Sequence, residues 1–105
     1  MKVFTKQALD EIKKVHSLSR QYNDKKKKSH ETKLLSLMRK HVGEIEDLYQ
    51  SQDKHFLIET GDLAVLCLEI FLENKISADE VIMQCFDRHQ KKLKSLIEKR
   101  KNDKS

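Results

Sequence analysis

Two pairs of polar residues carry the chemistry this chain could do. His41 lies three residues before Glu44, and Glu59 lies three residues before Asp62. Residues three apart share one face of an α-helix, so His41-x-x-Glu44 and Glu59-x-x-Asp62 each present two ligand-bearing side chains together. Antiparallel neighbouring helices would aim both pairs at one place. Three carboxylates facing one another repel unless one is protonated or a cation bridges them. A hard divalent ion with oxygen ligands answers that need. The plainer alternative makes Glu44, Glu59 and Asp62 ordinary solvated acids. Glu59 and Asp62 flank the most apolar stretch of the chain, which argues against it.

The chain's two glycines point to the same region. Gly43 and Gly61 each stand immediately before an acid of a pair, inside segments with helical periodicity. A glycine within a helix costs roughly 1 kcal/mol relative to alanine. The expectation is that both permit close helix–helix approach beside the site.

Four helical stretches can position these pairs. The first, about Thr5 to Tyr22, repeats Ala8, Leu9, Ile12, Val15, Leu18 and Tyr22 at spacings of three and four. Residues 23–30, with Asn23 and the run Lys25–Lys28, read as an exposed basic loop. The second stretch, about Glu31 to Tyr49, carries Leu34, Leu35, Met38, Val42, Ile45 and Tyr49 on one face. The third, about Lys54 to Glu73, has Glu69 as the only charge between Leu63 and Leu72. A helix apolar nearly all round is central in a bundle or covered by another subunit. The fourth opens on Ser77-Ala-Asp-Glu80, a capping box, with Ile76 and Val81 as its hydrophobic staple. Its apolar spacing continues through Cys85, Phe86, Leu93 and Leu96 to about Arg100, and Lys101–Ser105 should fray.

Composition agrees with an all-α chain. There is no proline, 37% of residues are hydrophobic and 37% are charged, which disfavours turn-rich β architectures. One domain over 1–105 is expected. No signal peptide is visible, and the apolar run Leu63–Leu68 is too short to cross a bilayer. Cys67 and Cys85 read as thiols of a cytoplasmic protein rather than a disulfide. The net charge of +5 is concentrated in Lys25–Lys28 and Lys91–Lys104. A loop and a helix end complementing its dipole explain both, and with 6% aromatic residues base-stacking platforms are scarce. His16, His30, His55 and His89 share no ligand spacing and read as ordinary surface or half-buried residues. Phe4, Phe56, Phe71 and Phe86 read as core.

The segments Leu37-Met38-Arg39-Lys40-His41-Val42-Gly43-Glu44-Ile45 and Ile58-Glu59-Thr60-Gly61-Asp62-Leu63 resemble the Glu-Glu-x-x-Glu and Glu-x-x-Asp motifs of the MazG-type all-α NTP pyrophosphohydrolases. Ile76–Glu80 resembles that family's turn into its last helix, and the resemblance runs from about Leu34 to Leu93. Its element order agrees with the four helical stretches, a four-helix bundle-like fold, and the apolar third helix, with more surface than a small chain can cover, leads to the expectation of a homodimer. The resemblance implies hydrolysis of a nucleoside triphosphate between the α and β phosphates, with magnesium held by the motif carboxylates Glu44, Glu59 and Asp62. Arg88, Lys91 and Lys92 fall near the family's phosphate-facing positions.

The chain departs from the family where Lys40-His41 replaces the leading acid pair. One ligand position then holds an imidazole, which suits manganese better than magnesium. Lys40 becomes a possible phosphate contact, and loss of a water-activating base would slow catalysis by roughly 100- to 10,000-fold. The leading expectation is a pyrophosphohydrolase. The alternatives are a catalytically impaired nucleotide-binding or protein-interaction module, and a basic helical nucleic-acid-binding protein.

Overall fold

The computed structural model describes residues 2–23 and 27–103, and the side chains of all of these except Lys27 and Lys28. Among them every regular element is a helix: α1 (Lys6–Tyr22), α2 (Lys27–Gln50), α3 (Phe56–Glu73) and α4 (Ala78–Asp103). The all-α expectation holds, and no helix is long and apolar enough to cross a membrane.

Local chemistry sets the helix ends. Thr5 caps α1 by accepting the Ala8 N–H at 3.0 Å. Ser77 Oγ accepts the Glu80 N–H at 3.3 Å at the start of α4, one half of the expected capping box. α3 ends in a Schellman motif: Ile76 N–H donates to the Phe71 carbonyl at 3.0 Å and Lys75 N–H to Leu72 at 3.1 Å, with Lys75 left-handed at φ 54°. α2 ends the same way through Asp53 N–H on the Leu48 carbonyl at 2.9 Å, with Gln52 at φ 62°.

α3 is the central element, packed against α1, α2 and α4, and its most extensive partner is α2. The short connection after Gln50 turns α3 back antiparallel to α2, so His41 faces Glu59 while His30 faces Glu73. Between those two polar levels lies Leu34, the one hydrophobic side chain wholly buried among the described residues. The start of α4 is tied to the amino-terminal segment, where Asp79 Oδ1 accepts the N–H groups of Val3 and Phe4 at 2.7 and 2.8 Å.

Several expectations are corrected. α2 begins at Lys27, not about Glu31: lysine is a good helix former, and the helix takes in His30, which is fully buried. Of the expected basic loop, Asp24, Lys25 and Lys26 lie outside the described residues. α4 stays helical through Lys101 to Asp103, and Lys104 and Ser105 lie outside. The apolar stripes are only partly used. Leu18, Tyr22, Leu35 and Tyr49 are exposed, and so is Phe86, at 49%. α4 itself leaves α3 after its first turns. From Phe86 to Asp103 every residue is exposed, about 27 Å of helix at 1.5 Å per residue. The radius of gyration is 17.2 Å, against about 13 Å for a compact chain of this length.

Candidate metal centre

The antiparallel α2–α3 pair brings the two motifs together. His41 Nε2 lies 3.4 Å from Glu59 Oε2 and 4.0 Å from Asp62 Oδ2. His41, Glu44 and Glu59 each offer a ligand atom within 4.8 Å of the others. Asp62 stands at the rim, its side chain 55% exposed.

The ring of His41 is oriented for ligation. Its Nδ1–H donates to the Leu37 carbonyl at 2.9 Å, which leaves Nε2, in the neutral tautomer, as a lone pair facing the carboxylates. A backbone carbonyl on one nitrogen and a free second nitrogen is the usual posture of a metal-binding histidine. Glu59 Oε2 is buried without a hydrogen-bond partner and faces His41 Nε2 at 3.4 Å. Proximity to Glu44, with which Glu59 shares a hydrogen bond when protonated, holds the Glu59 carboxyl above its usual range. Partial burial adds to the rise and His41 opposes it. These donors fit a divalent cation.

Two further side chains border the site. Lys40 Nζ is 4.0 Å from Glu44 Oε1, placing its charge at the mouth. His55 Nε2 is 3.6 Å from Glu59 Oε1. His55 had no assigned role in the sequence, and its signal was its position one helical turn before Glu59. By contrast, Arg88, Lys91 and Lys92 lie on the exposed length of α4. Lys91 pairs with Asp87 at 2.9 Å, and no contact among the described residues joins these three cations to the His41 cluster.

The glycine expectation is overturned. A Cβ built on Gly43 or Gly61 meets nothing within 4 Å. Both glycines face away from the α2–α3 seam, because the ligand-bearing residues, not their neighbours, occupy it.

A second polar cluster lies further along the same seam. His16 and Arg20 of α1, His30 of α2, and Glu69 and Glu73 of α3 converge there. His30 is 0% exposed and Glu69 2%, correcting the reading of His30 as a surface or half-buried residue. His16 Nε2 lies 2.9 Å from Glu73 Oε1 and His16 Nδ1 lies 3.3 Å from Glu69 Oε1. Arg20 Nε lies 3.3 Å from Glu73 Oε1. Burial lowers the pKa of His30, keeping its ring neutral. The legible signal was Glu69, a lone charge in an apolar helix, which needed a partner.

No family model, curated protein or solved structure matches the chain.

Proposed function

We propose that this chain is a metal-dependent nucleoside triphosphate pyrophosphohydrolase of MazG-like type, acting as a homodimer. The observation that carries the reading is the convergence of His41, Glu44 and Glu59, with Asp62 at the rim, from two facing helices. The resemblance of those same segments to the two acidic motifs of the family gives the reaction. His41, Glu44, Glu59 and Asp62 hold the ion, Mg2+ or, given the imidazole, Mn2+. A divalent ion there supplies charge neutralisation on a triphosphate and a more acidic bound water. Lys40 attracts phosphate at the mouth.

One observation favours a second reading. Lys40 stands 4.0 Å from Glu44, where the family carries an acid, so the site holds less negative charge than an active member's. The chain then serves as a catalytically impaired nucleotide-binding module. Pyrophosphate release from a panel of nucleoside triphosphates, with Mg2+ and then Mn2+, separates the two. Release that disappears in Glu59→Gln supports the enzyme. Calorimetric nucleotide binding without release supports the module, and absence of both refutes the site.

A further inference from the structure

We infer that His16, His30 and Glu69 form a second metal site, selective for a zinc(II)-class transition ion and buried where α1, α2 and α3 meet. One ligand atom from each lies within 4.8 Å of the other two. His16 Nδ1 and Glu69 Oε1, 3.3 Å apart, already have the spacing of two ligands on one tetrahedral ion, about 3.4 Å for bonds of about 2.0–2.1 Å.

Proton accounting shows the gap this ion fills. A carboxylate only accepts. The shorter contact of His16, 2.9 Å from Nε2 to Glu73 Oε1, takes the ring's single proton in the neutral tautomer. The Nδ1 lone pair is then left facing Glu69. Glu69 is 2% exposed, and its only hydrogen-bond or ion-pair contact among the described side chains is with His16. With the ring neutral, two acceptors meet there, and an ion between them supplies the charge that a second ring proton would otherwise bring.

His30 supplies the independent observation. It is fully buried, and its Nε2, 3.7 Å from Glu73 Oε1, has no hydrogen-bond partner. Its Nδ1 lies 3.3 Å from the Asn23 amide, which also reaches Ser19 Oγ at 3.4 Å. Because the Ser19 hydroxyl both donates and accepts, the amide can turn its oxygen to the ring without losing a bond. It then holds Nδ1–H and frees the Nε2 lone pair.

The surroundings complete the site. Glu73, held by Arg20 at 3.3 Å, is the carboxylate behind a ligating histidine, an arrangement that fixes the ring and raises its basicity. Two imidazoles and one carboxylate select a borderline ion over magnesium, which prefers oxygen. The ion joins α1 to the α2–α3 pair, so its role is to hold the fold together, apart from the nucleotide site.

The test uses full-length protein carrying Glu59→Gln and Asp62→Asn, so that the first site cannot compete. After metal stripping, this protein should bind one equivalent of Zn2+ and develop visible absorption with Co2+. Its Tm should rise by about 10 °C at free Zn2+ roughly 100-fold above Kd. His30→Gln and Glu69→Gln should each abolish these effects. Because either variant could unfold, the imidazole 15N resonances of the otherwise unchanged chain provide the second measurement. Those of His16 and His30 should shift on adding Zn2+, while those of His89 stay fixed. Absence of zinc binding, or binding with the His16 and His30 resonances unmoved, overturns the proposal.

Discussion

Across the α2–α3 seam, His41 Nε2 sits 3.4 Å from Glu59 Oε2 while its Nδ1 is spent on the Leu37 carbonyl at 2.9 Å. The ring cannot swing away without losing that bond, and Glu59 Oε2 has no hydrogen-bond partner. The pair is therefore a fixed, incompletely satisfied contact, and it governs how the metal-free protein should behave.

Glu59→Gln should stabilise the metal-free chain while abolishing Mn2+ binding. The amide removes a charge that Glu44 opposes and supplies a donor that the acid lacks when ionised. The pH dependence follows from the raised pKa of Glu59. The folded state then binds more protons than the unfolded state between the ordinary carboxylate value and the raised one. Stability is thus fully present below that window and falls as pH rises through it. Thermal melts in chelator should show this fall in wild type and lose it in Glu59→Gln. A variant that melts lower than wild type at neutral pH contradicts the argument.

Restoring the acids tests whether activity is merely impaired. Lys40→Glu combined with His41→Glu should raise Mg2+-dependent pyrophosphate release by roughly 100- to 10,000-fold, the usual worth of a recovered general base. It should also shift the preferred ion from Mn2+ towards Mg2+, since an oxygen ligand replaces nitrogen. An unchanged rate places the defect elsewhere.

Glycine is placed where the backbone has no need of it and missing where it does. Gly43 and Gly61 are helical with open space at the Cβ position, so Gly43→Ala and Gly61→Ala should each stabilise by about 1 kcal/mol. Lys75 occupies the left-handed position of the Schellman motif at φ 54°, where Lys75→Gly should gain up to about 1 kcal/mol. Urea unfolding of the single variants measures all three. A loss at Gly43 or Gly61 would show that another molecule packs against that face.

What was legible in the sequence was what depends on one helix at a time. The helices, the Ser77 cap and the shared faces of His41–Glu44 and Glu59–Asp62 follow from spacing alone, and a tight connection after Gln50 is enough to bring the two pairs together. What was not legible depends on which residues meet from three helices. His16 and His30 have no sequence relation to Glu69 until α1 packs on α3. The start of α2 at Lys27 takes in lysines that read as a loop because of their charge, although lysine is a good helix former. The glycines misled because a costly residue suggests a reason, and the face it occupies cannot be known before the helix is docked.

The uncovered apolar surface leads to the last prediction. Leu35 and Val42 on α2 are 51% and 44% exposed, and Leu93, Leu96 and Ile97 on α4 are 57%, 52% and 50%. A single chain leaves these large side chains facing water along a helix that nothing else covers, a pattern that marks an association surface. Light scattering at micromolar concentration should therefore give twice the 12.4 kDa of one chain. Leu35→Glu or Leu96→Glu should halve that mass, since each buries an unpaired charge in the interface. Cys67 reports on the same surface, because it lines a groove with Leu35, Met38, Val42 and Leu63. Burial raises its thiol pKa, so alkylation at neutral pH should be slow, and it should accelerate when Leu35→Glu opens the groove. A monomer mass for wild type, with Cys67 alkylated equally fast in both proteins, would show that this face stays bare.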